Sequence, residues 1–285
     1  MLFVNPDAKV NRTIPNIGLA YAATILNTRV IDLNTMPEPD NRYLNERADI
    51  LGISIQSRTM GEAKKIEKRY KEKYPRAEVK SIFGVLDVQC CYPYLKTEKT
   101  ILIAEAFGDN LPFPNYELFD SFKIFHENWQ SGDWRYALMT SLGCPYSCVY
   151  CMARNRGWIP RSANNSAEEI IQAKNKWGIK SFTILDDCFN LKEYRVIEFS
   201  ELIKPLGLAW GCANGIRADR ITEASARAMA ESGCRQVGFG IESADDKILG
   251  DIKKGETLLQ IENGIRIAKK YFKEVNGFFI IGLPG

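Results

Sequence analysis

Short apolar runs alternate with amphipathic stretches along the chain, and the alternation changes character near its middle. In the first half MLFVN, RVIDL, ADILGISIQ, VKSIFGV and TILIAEAF have the length and β-branched content of strands, while Pro15 to Leu26 and Thr59 to Tyr74 carry a helical period. In the second of these helices Ala63, Ile66 and Tyr70 share one face, and Thr59 followed by Glu62 predicts a capping box. Strands separated by helices imply an open, mostly parallel sheet covered by helices. From Gly108 to about Arg135 the pattern dissolves, and the prolines and scattered aromatics of GDNLPFPNYELFDSF read as a linker lying on a surface.

The second half is more regular. RYALMTSL, SFTILDD, LAWGCANG, RQVGFGIES and NGFFIIGLPG read as strands, separated by helices at about 166–177, 192–204, 222–232 and 257–272. Ser166 with Glu169 and Thr257 with Gln260 predict capping boxes, and Gly178 closes the first helix. Five βα-type units in succession predict a parallel (β/α) barrel or partial barrel with its chemistry at the carboxyl ends of the strands. The expected organisation is a domain at 1–110, a linker at 111–135 and a barrel domain at 136–285.

Composition narrows the function classes. The 285 residues are 45% hydrophobic and 26% charged, enough for one large core or two ordinary ones. A formal charge of +3, with Lys and Arg spread among the acids, gives no nucleic-acid footprint; KKIEKRYKEK alternates with Glu and reads as a solvated helix face. No run approaches the roughly 18 apolar residues of a membrane span, and MLFVNPDAKV lacks the marks of a signal peptide, so a cytoplasmic protein is expected. Disulfides are rare in that compartment, so a tight cysteine cluster points to metal or redox chemistry.

Such a cluster exists: SLGCPYSCVYCM, in the loop after the first strand of the second half, holds three of the eight cysteines. Thiolates suit zinc or iron-sulfur clusters. A structural zinc site needs a fourth ligand. The only histidine, His126, lies in the linker; Cys188, Cys212 and Cys234 sit in separate strand contexts, and the adjacent Cys90 and Cys91 read as ordinary thiols. A 4Fe-4S cluster on three cysteines instead leaves one iron open to bind a substrate.

With its C-x3-C-x2-C spacing and the aromatic Tyr150 before the third cysteine, CPYSCVYC resembles the radical S-adenosylmethionine (SAM) superfamily. The resemblance implies a 4Fe-4S cluster on Cys144, Cys148 and Cys151, whose open iron chelates SAM, and reductive cleavage of SAM to a 5'-deoxyadenosyl radical. It also places SAM contacts on particular residues. Asp186 and Asp187 in LDDCFN would hold the SAM ammonium, or alternatively cap the helix at 192–204. Arg217 in NGIRAD would meet the carboxylate, or pair with Asp219 or Asp245. Glu242 and Ser243, ending GFGIES, would reach the ribose or amino-acid part, or simply open a loop. Ile280 and Gly282 in GFFIIGLPG would face adenine.

The first half, with FVNP, IPNIGLAYAATIL and ADILGISIQSRT, resembles the Rossmann-like cobalamin-binding domain that precedes the barrel in one branch of the superfamily, and DDCFN, GIES and KKGE fit that branch too. The corrinoid would lie against Asn5, Ser54, Gln56, Ser57 and Glu105. No Asp-x-His-x-x-Gly sequence is present, so no histidine of that motif would ligate cobalt. A structural or partner-docking domain is the alternative. The functional expectation is a cobalamin-dependent C-methyltransferase acting on a small molecule or peptide, with a reducing partner such as flavodoxin or ferredoxin. The alternatives are a cobalamin-independent cyclase, oxidase or sulfur-inserting enzyme, and an incomplete, non-catalytic iron-sulfur protein. The chain stops at Gly285, straight after the fifth barrel strand, where the family's barrel has six units; a dimer partner or further chain is expected to cover the strand edge.

Overall fold

The structure is a computed structural model that describes residues 1–6, 16–35, 41–54, 59–83, 100–102, 107–151, 153–155, 157–212 and 214–283. Within it the chain forms two compact units, Met1–Trp134 and Arg135–Gly285.

The first unit is built on five parallel strands, β1 (Leu2–Asn5), β2 (Val30–Asp32), β3 (Ile50–Ser54), β4 (Glu78–Phe83) and β5 (Thr100–Leu102), in the order β2-β1-β3-β4-β5. Helix α1 (Ile17–Ile25) is apolar all round and buried from Ile17 to Ala23, as its composition requires. Helix α2 (Met60–Lys73) is amphipathic and buries the predicted face, Ala63, Ile66 and Tyr70, against Leu2, Val4, Ile31, Leu51 and Ile53. Each fully buried Leu or Ile there stabilises the fold by about 1.5–3 kcal/mol. Thr59 makes no side-chain cap, because its own backbone is already helical (φ −100°, ψ 0°), and Glu62 pairs instead with Lys65 at 2.8 Å.

Residues 111–134 belong to this unit and are more ordered than a linker. Tyr116, Phe119, Phe125 and Trp129 are buried and pack on one another with ring centroids 5.1–6.2 Å apart. They draw helix α3 (Phe122–Ser131) into place, closed by Gly132 at φ 89°. Asp120 N–H bonds to Val30 O at 2.9 Å, so the segment lies along the free edge of β2.

The second unit carries β6 (Tyr136–Leu138), a short antiparallel ladder of β7 (Ser141–Leu142) with β8 (Ile159–Pro160), α4 (Ala163–Trp177), β9 (Ser181–Ile184), α5 (Glu193–Ile203), β10 (Ala209–Cys212), α6 (Glu223–Glu231), β11 (Cys234–Glu242), α7 (Asp246–Asp251), α8 (Leu258–Tyr271) and β12 (Glu274–Phe279). Strands β6, β9, β10, β11 and β12 form one parallel sheet in chain order, the partial barrel expected of successive βα units. Phe182, Phe189, Phe199 and Trp210 pack between sheet and helices. The Thr257–Gln260 capping box and the left-handed Gly178 are in place. Helix α4, however, begins earlier than predicted, with Ser162 as its cap: Glu169 is drawn into the core by Arg161 and is not free to cap. No helix among the described residues is long and apolar enough to cross a membrane.

Candidate functional site

The cysteine loop leaves β7 at Gly143, whose φ of 83° is a left-handed turn that favours glycine. Behind the turn a set of buried charges fixes the chain. Asp186 accepts hydrogen bonds from Thr140 N (2.7 Å), Thr140 Oγ1 (2.5 Å) and Ser141 Oγ (2.6 Å). Arg195 donates to the carbonyls of Thr140 and Arg161, while Arg161 donates to Met139 O (2.8 Å) and pairs with Glu169 at 2.6 Å. Tyr136 completes this set by donating to Glu169 at 3.0 Å.

In front, the loop rests on Ile252 to Glu256. Val149 N bonds to Ile252 O at 3.0 Å, and Cys148 Sγ lies 3.9 Å from Lys254 O. The Arg217 guanidinium lies 3.5 Å from the centre of the Tyr146 ring and donates to Asp219 (2.8 Å), Lys254 O (3.1 Å) and Gly255 O (2.9 Å). Glu256 Oε1 accepts from the backbone of Ala218 and Asp219. The loop also closes on itself, through Cys151 N to Cys148 O and Asn155 N to Tyr146 O.

The three thiols differ. Cys148 is buried, Cys144 and Cys151 half-buried. A hydrogen bond from Cys188 brings the Cys144 thiol down to about 7, against burial, and drives Cys188 itself up. Burial raises Cys151, with Cys144, Cys148 and Asp187 adding to it. Among the described residues no three His, Cys, Asp or Glu side chains converge as one bound metal ion requires. A cubane cluster puts each thiolate on a different iron and needs no such convergence, so three soft donors on one exposed-to-buried loop fit a cluster better than zinc.

The expected SAM contacts divide into those presented at the strand ends and those committed to the protein. Asp187 is half-buried, accepts from Gly143 N at 3.0 Å and lies close enough to Cys144 and Cys151 for its charge to oppose the ionisation of each. Glu242 ends β11 at a bulge with φ 63°, close enough to Tyr150 for its charge to help raise that phenol. Ile280 N bonds to Glu242 O at 3.2 Å, which brings the fifth strand's end to the same place. Ser243 Oγ accepts from Asp245 N, and Gly282 is an exposed turn at φ 88°.

Asp186 and Arg217 depart from expectation. Asp186 is 1% exposed and its oxygens are spent on Thr140 and Ser141, so it anchors the strand and does not face a ligand. Arg217 spends its donors on Asp219 and the 254–255 carbonyls, bracing the loop beneath the cysteines. Neither aspartate caps α5, whose cap position is Lys192 with no side-chain bond, and Asp245 caps α7 rather than pairing with Arg217. Sequence reasoning passed over Lys254, Glu256, Tyr146 and the contact of Cys188 with Cys144; the charged doublet and glycine in KKGE were the visible sign of the first two.

At the carboxyl end of the first sheet, β1 and β3 are neighbours although β2 lies between them in sequence, so their ends flank the point where strand order reverses. Asn16, the cap of α1, joins them there, donating to Asn5 Oδ1 (3.3 Å) and Ser54 Oγ (3.1 Å). Asn5 in turn donates to Asp32 at 2.9 Å. Gln56, Ser57 and Glu105 lie outside the described residues.

The family model of the radical SAM superfamily matches residues 138–285. An uncharacterized methyltransferase of Pyrococcus horikoshii is 37% identical over 179 residues, 62% of this chain and 38% of its own length. The cytidylyl-2-hydroxyethylphosphonate methyltransferase of Streptomyces wedmorensis is 31% identical over 185 residues, 62% of this chain and 35% of its own length. The chain thus spans little more than a third of these relatives. The solved radical SAM methyltransferase TsrM from Kitasatospora setae, with cobalamin and a 4Fe-4S cluster bound, superposes with a TM-score of 0.76 at 17% identity, covering 100% of this chain and 69% of that one.

Proposed function

Because the chain belongs to the radical SAM superfamily, we propose that it is a cobalamin-dependent methyltransferase, with a 4Fe-4S cluster and SAM in its second unit and a corrinoid on its first. The observation that carries this reading is the convergence, at the carboxyl ends of one parallel sheet, of the three-cysteine loop with Asp187, Glu242 and the end of β12. When bound, the cluster supplies the electron that cleaves SAM, and the corrinoid supplies a methyl carrier.

The chain's own groups divide the work. Cys144, Cys148 and Cys151 would hold three irons; the half-buried Asp187 would accept from the SAM ammonium; Glu242, with Ser243 beside it, would meet the ribose; and Ile280, with the Gly282 turn, would present an apolar face to adenine. Tyr150, raised by burial and by the nearby Glu242, stays neutral there. In the first unit Asn5 and Ser54, locked by Asn16, would form the polar floor under the corrinoid. The likeness to relatives that are methyltransferases favours methyl transfer over cyclisation or oxidation. A reduced flavodoxin or ferredoxin would supply the electron, and the substrate would be a small molecule.

The test is anaerobic reconstitution with iron, sulfide and hydroxocobalamin. Close to four iron and four sulfide per chain, a corrinoid spectrum, and a change in the electron paramagnetic resonance signal of the reduced cluster on adding SAM are expected. Stoichiometric zinc without sulfide overturns the cluster, and no corrinoid uptake at tens of micromolar cobalamin overturns the methyltransferase reading.

A further inference from the structure

The segment from Ile252 to Glu256 turns twice through left-handed backbone, at Lys253 (φ 53°) and Gly255 (φ 67°). Between the two turns the Lys254 side chain runs inward and is only 9% exposed. Its Nζ lies 3.4 Å from Glu256 Oε2 and 3.7 Å from Glu242 Oε1. Burying an ammonium is costly unless carboxylates face it, and here one faces it on each side.

Three further features show that this arrangement is built. Glu256 Oε2 is buried and accepts no hydrogen bond among the described residues, so its compensation is ionic, from Lys254 and from Arg217 at 3.7 Å. The pair of Lys254 and Glu242 fills the space beside Gly240, where a Cβ would stand 2.5 Å from Glu242 Oε1 and 2.8 Å from Lys254 Nζ. Glu242 itself sits at φ 63°, a conformation unfavourable for a residue with a Cβ, which persists only where neighbours hold it. Its neighbours are Tyr150 in the cysteine loop and Lys254 beneath it.

We propose that Lys254 is a positioning residue: its ammonium, steadied by Glu256, fixes the Glu242 carboxylate in the direction from which it meets SAM. The same segment carries the carbonyls under Cys148 and Val149, so one short loop sets both the cysteine loop and the SAM-facing carboxylate. The proposal rests on the reading above that Glu242 faces SAM.

A double-mutant cycle on the reconstituted holoenzyme separates the two. SAM affinity is measured by anaerobic equilibrium dialysis, and cluster integrity by iron content and the SAM-free paramagnetic signal. Lys254→Met and Glu242→Gln are each expected to keep full iron and to weaken SAM binding about tenfold, and the double variant to lose no more than Glu242→Gln alone. If Glu242→Gln weakens SAM and Lys254→Met does not, or if the two losses multiply, Lys254 does not act through Glu242 and the proposal falls alone. If Glu242→Gln leaves SAM binding unchanged, the reading of Glu242 falls and the proposal with it. Should Lys254→Met lose iron, the charge-balanced Lys254→Met/Glu256→Gln variant decides. Full iron with weakened SAM binding supports positioning; iron loss there too marks a purely structural brace.

Discussion

The carboxyl ends of the two sheets solve the same problem with different chemistry. In the first unit Asn5 and Asn34 donate to the Asp32 carboxylate, Asn16 links Asn5 to Ser54, and the Arg42–Asp120 ion pair meets the Asp32 backbone. In the second unit Asp187, Arg217, Asp219, Glu242, Lys254 and Glu256 crowd around three thiols. Amides and hydroxyls offer many weak, directional bonds without a strong field, which suits a broad ligand with polar edges. A site that must hold a cluster and a zwitterion needs fixed charges, and fixed charges in a half-buried mouth need rigid counter-charges. The difference explains why the second unit braces its cysteine loop from two sides.

The largest expected effect breaks this comparison on one side only. Changing Cys144, Cys148 and Cys151 together to Ala should abolish iron and sulfide uptake while leaving hydroxocobalamin binding unchanged. Iron analysis and the corrinoid absorption spectrum on the same sample check both halves. Loss of both ligands together would show that the units do not bind independently.

Next come the paired aspartates, adjacent in sequence and opposite in role. Asp186→Ala removes the acceptor of three hydrogen bonds in the core and a buried carboxylate close to Arg195, and should cost about 3 kcal/mol of stability in denaturant unfolding. Asp187→Asn is expected to stay within about 1 kcal/mol of the parent and instead to weaken the response of the cluster signal to SAM. Equal destabilisation by both would refute the division of labour between them.

Much of this was legible in the sequence, and the limits have physical causes. The strands and helices follow from periodicity, since burial on one face imposes it, and the cysteine spacing singles out the loop because few chemistries need three thiolates so close. The aromatic segment around Tyr116 to Trp129 was not legible: its rings pack chiefly on each other, without a helical or strand period long enough to see. The fate of Asp186 depended on Thr140 and Ser141, 46 and 45 residues away, and no local pattern distinguishes it from Asp187. Glu169, read as a cap, lies inside the helix because the helix starts at Ser162, and its buried carboxylate meets Arg161 instead. Lys254 and Glu256 stood in the sequence only as part of KKGE, and the two left-handed turns beside Lys254, not any local pattern, send it inward.

A smaller effect sharpens the neutral side of the comparison. Asn16→Ala removes the link between Asn5 and Ser54, at about 0.5–1.5 kcal/mol for each hydrogen bond lost, and should weaken hydroxocobalamin binding roughly tenfold in a spectrophotometric titration. His126→Ala should leave both affinity and spectrum unchanged, since the ring of His126 stacks on Phe122 within α3. A spectral shift on removing His126 would instead identify it as a cobalt ligand.

The smallest effect concerns the charged side, in protein prepared free of iron. Thiolate is the nucleophile toward iodoacetamide, so the alkylation rate of each cysteine follows its ionised fraction. With the Cys144 thiol lowered to about 7, its rate should rise through pH 7 and level off by about pH 8, whereas Cys151, raised by burial, should still be climbing there. The leading cause of the shift at Cys144 is the hydrogen bond from Cys188, which stabilises the charged form only while Cys188 stays protonated. Cys188→Ala removes that donor, so the midpoint for Cys144 must move upward and its rate at pH 7 must fall, by about fivefold for the first pH unit of displacement and by nearly tenfold for each further one. Peptide mass spectrometry resolves the two sites, because Arg154 cleavage leaves them on one fragment and fragmentation assigns the label. An unchanged Cys144 midpoint in Cys188→Ala would transfer the shift to the remaining favourable neighbours, the Tyr146 backbone and Arg217.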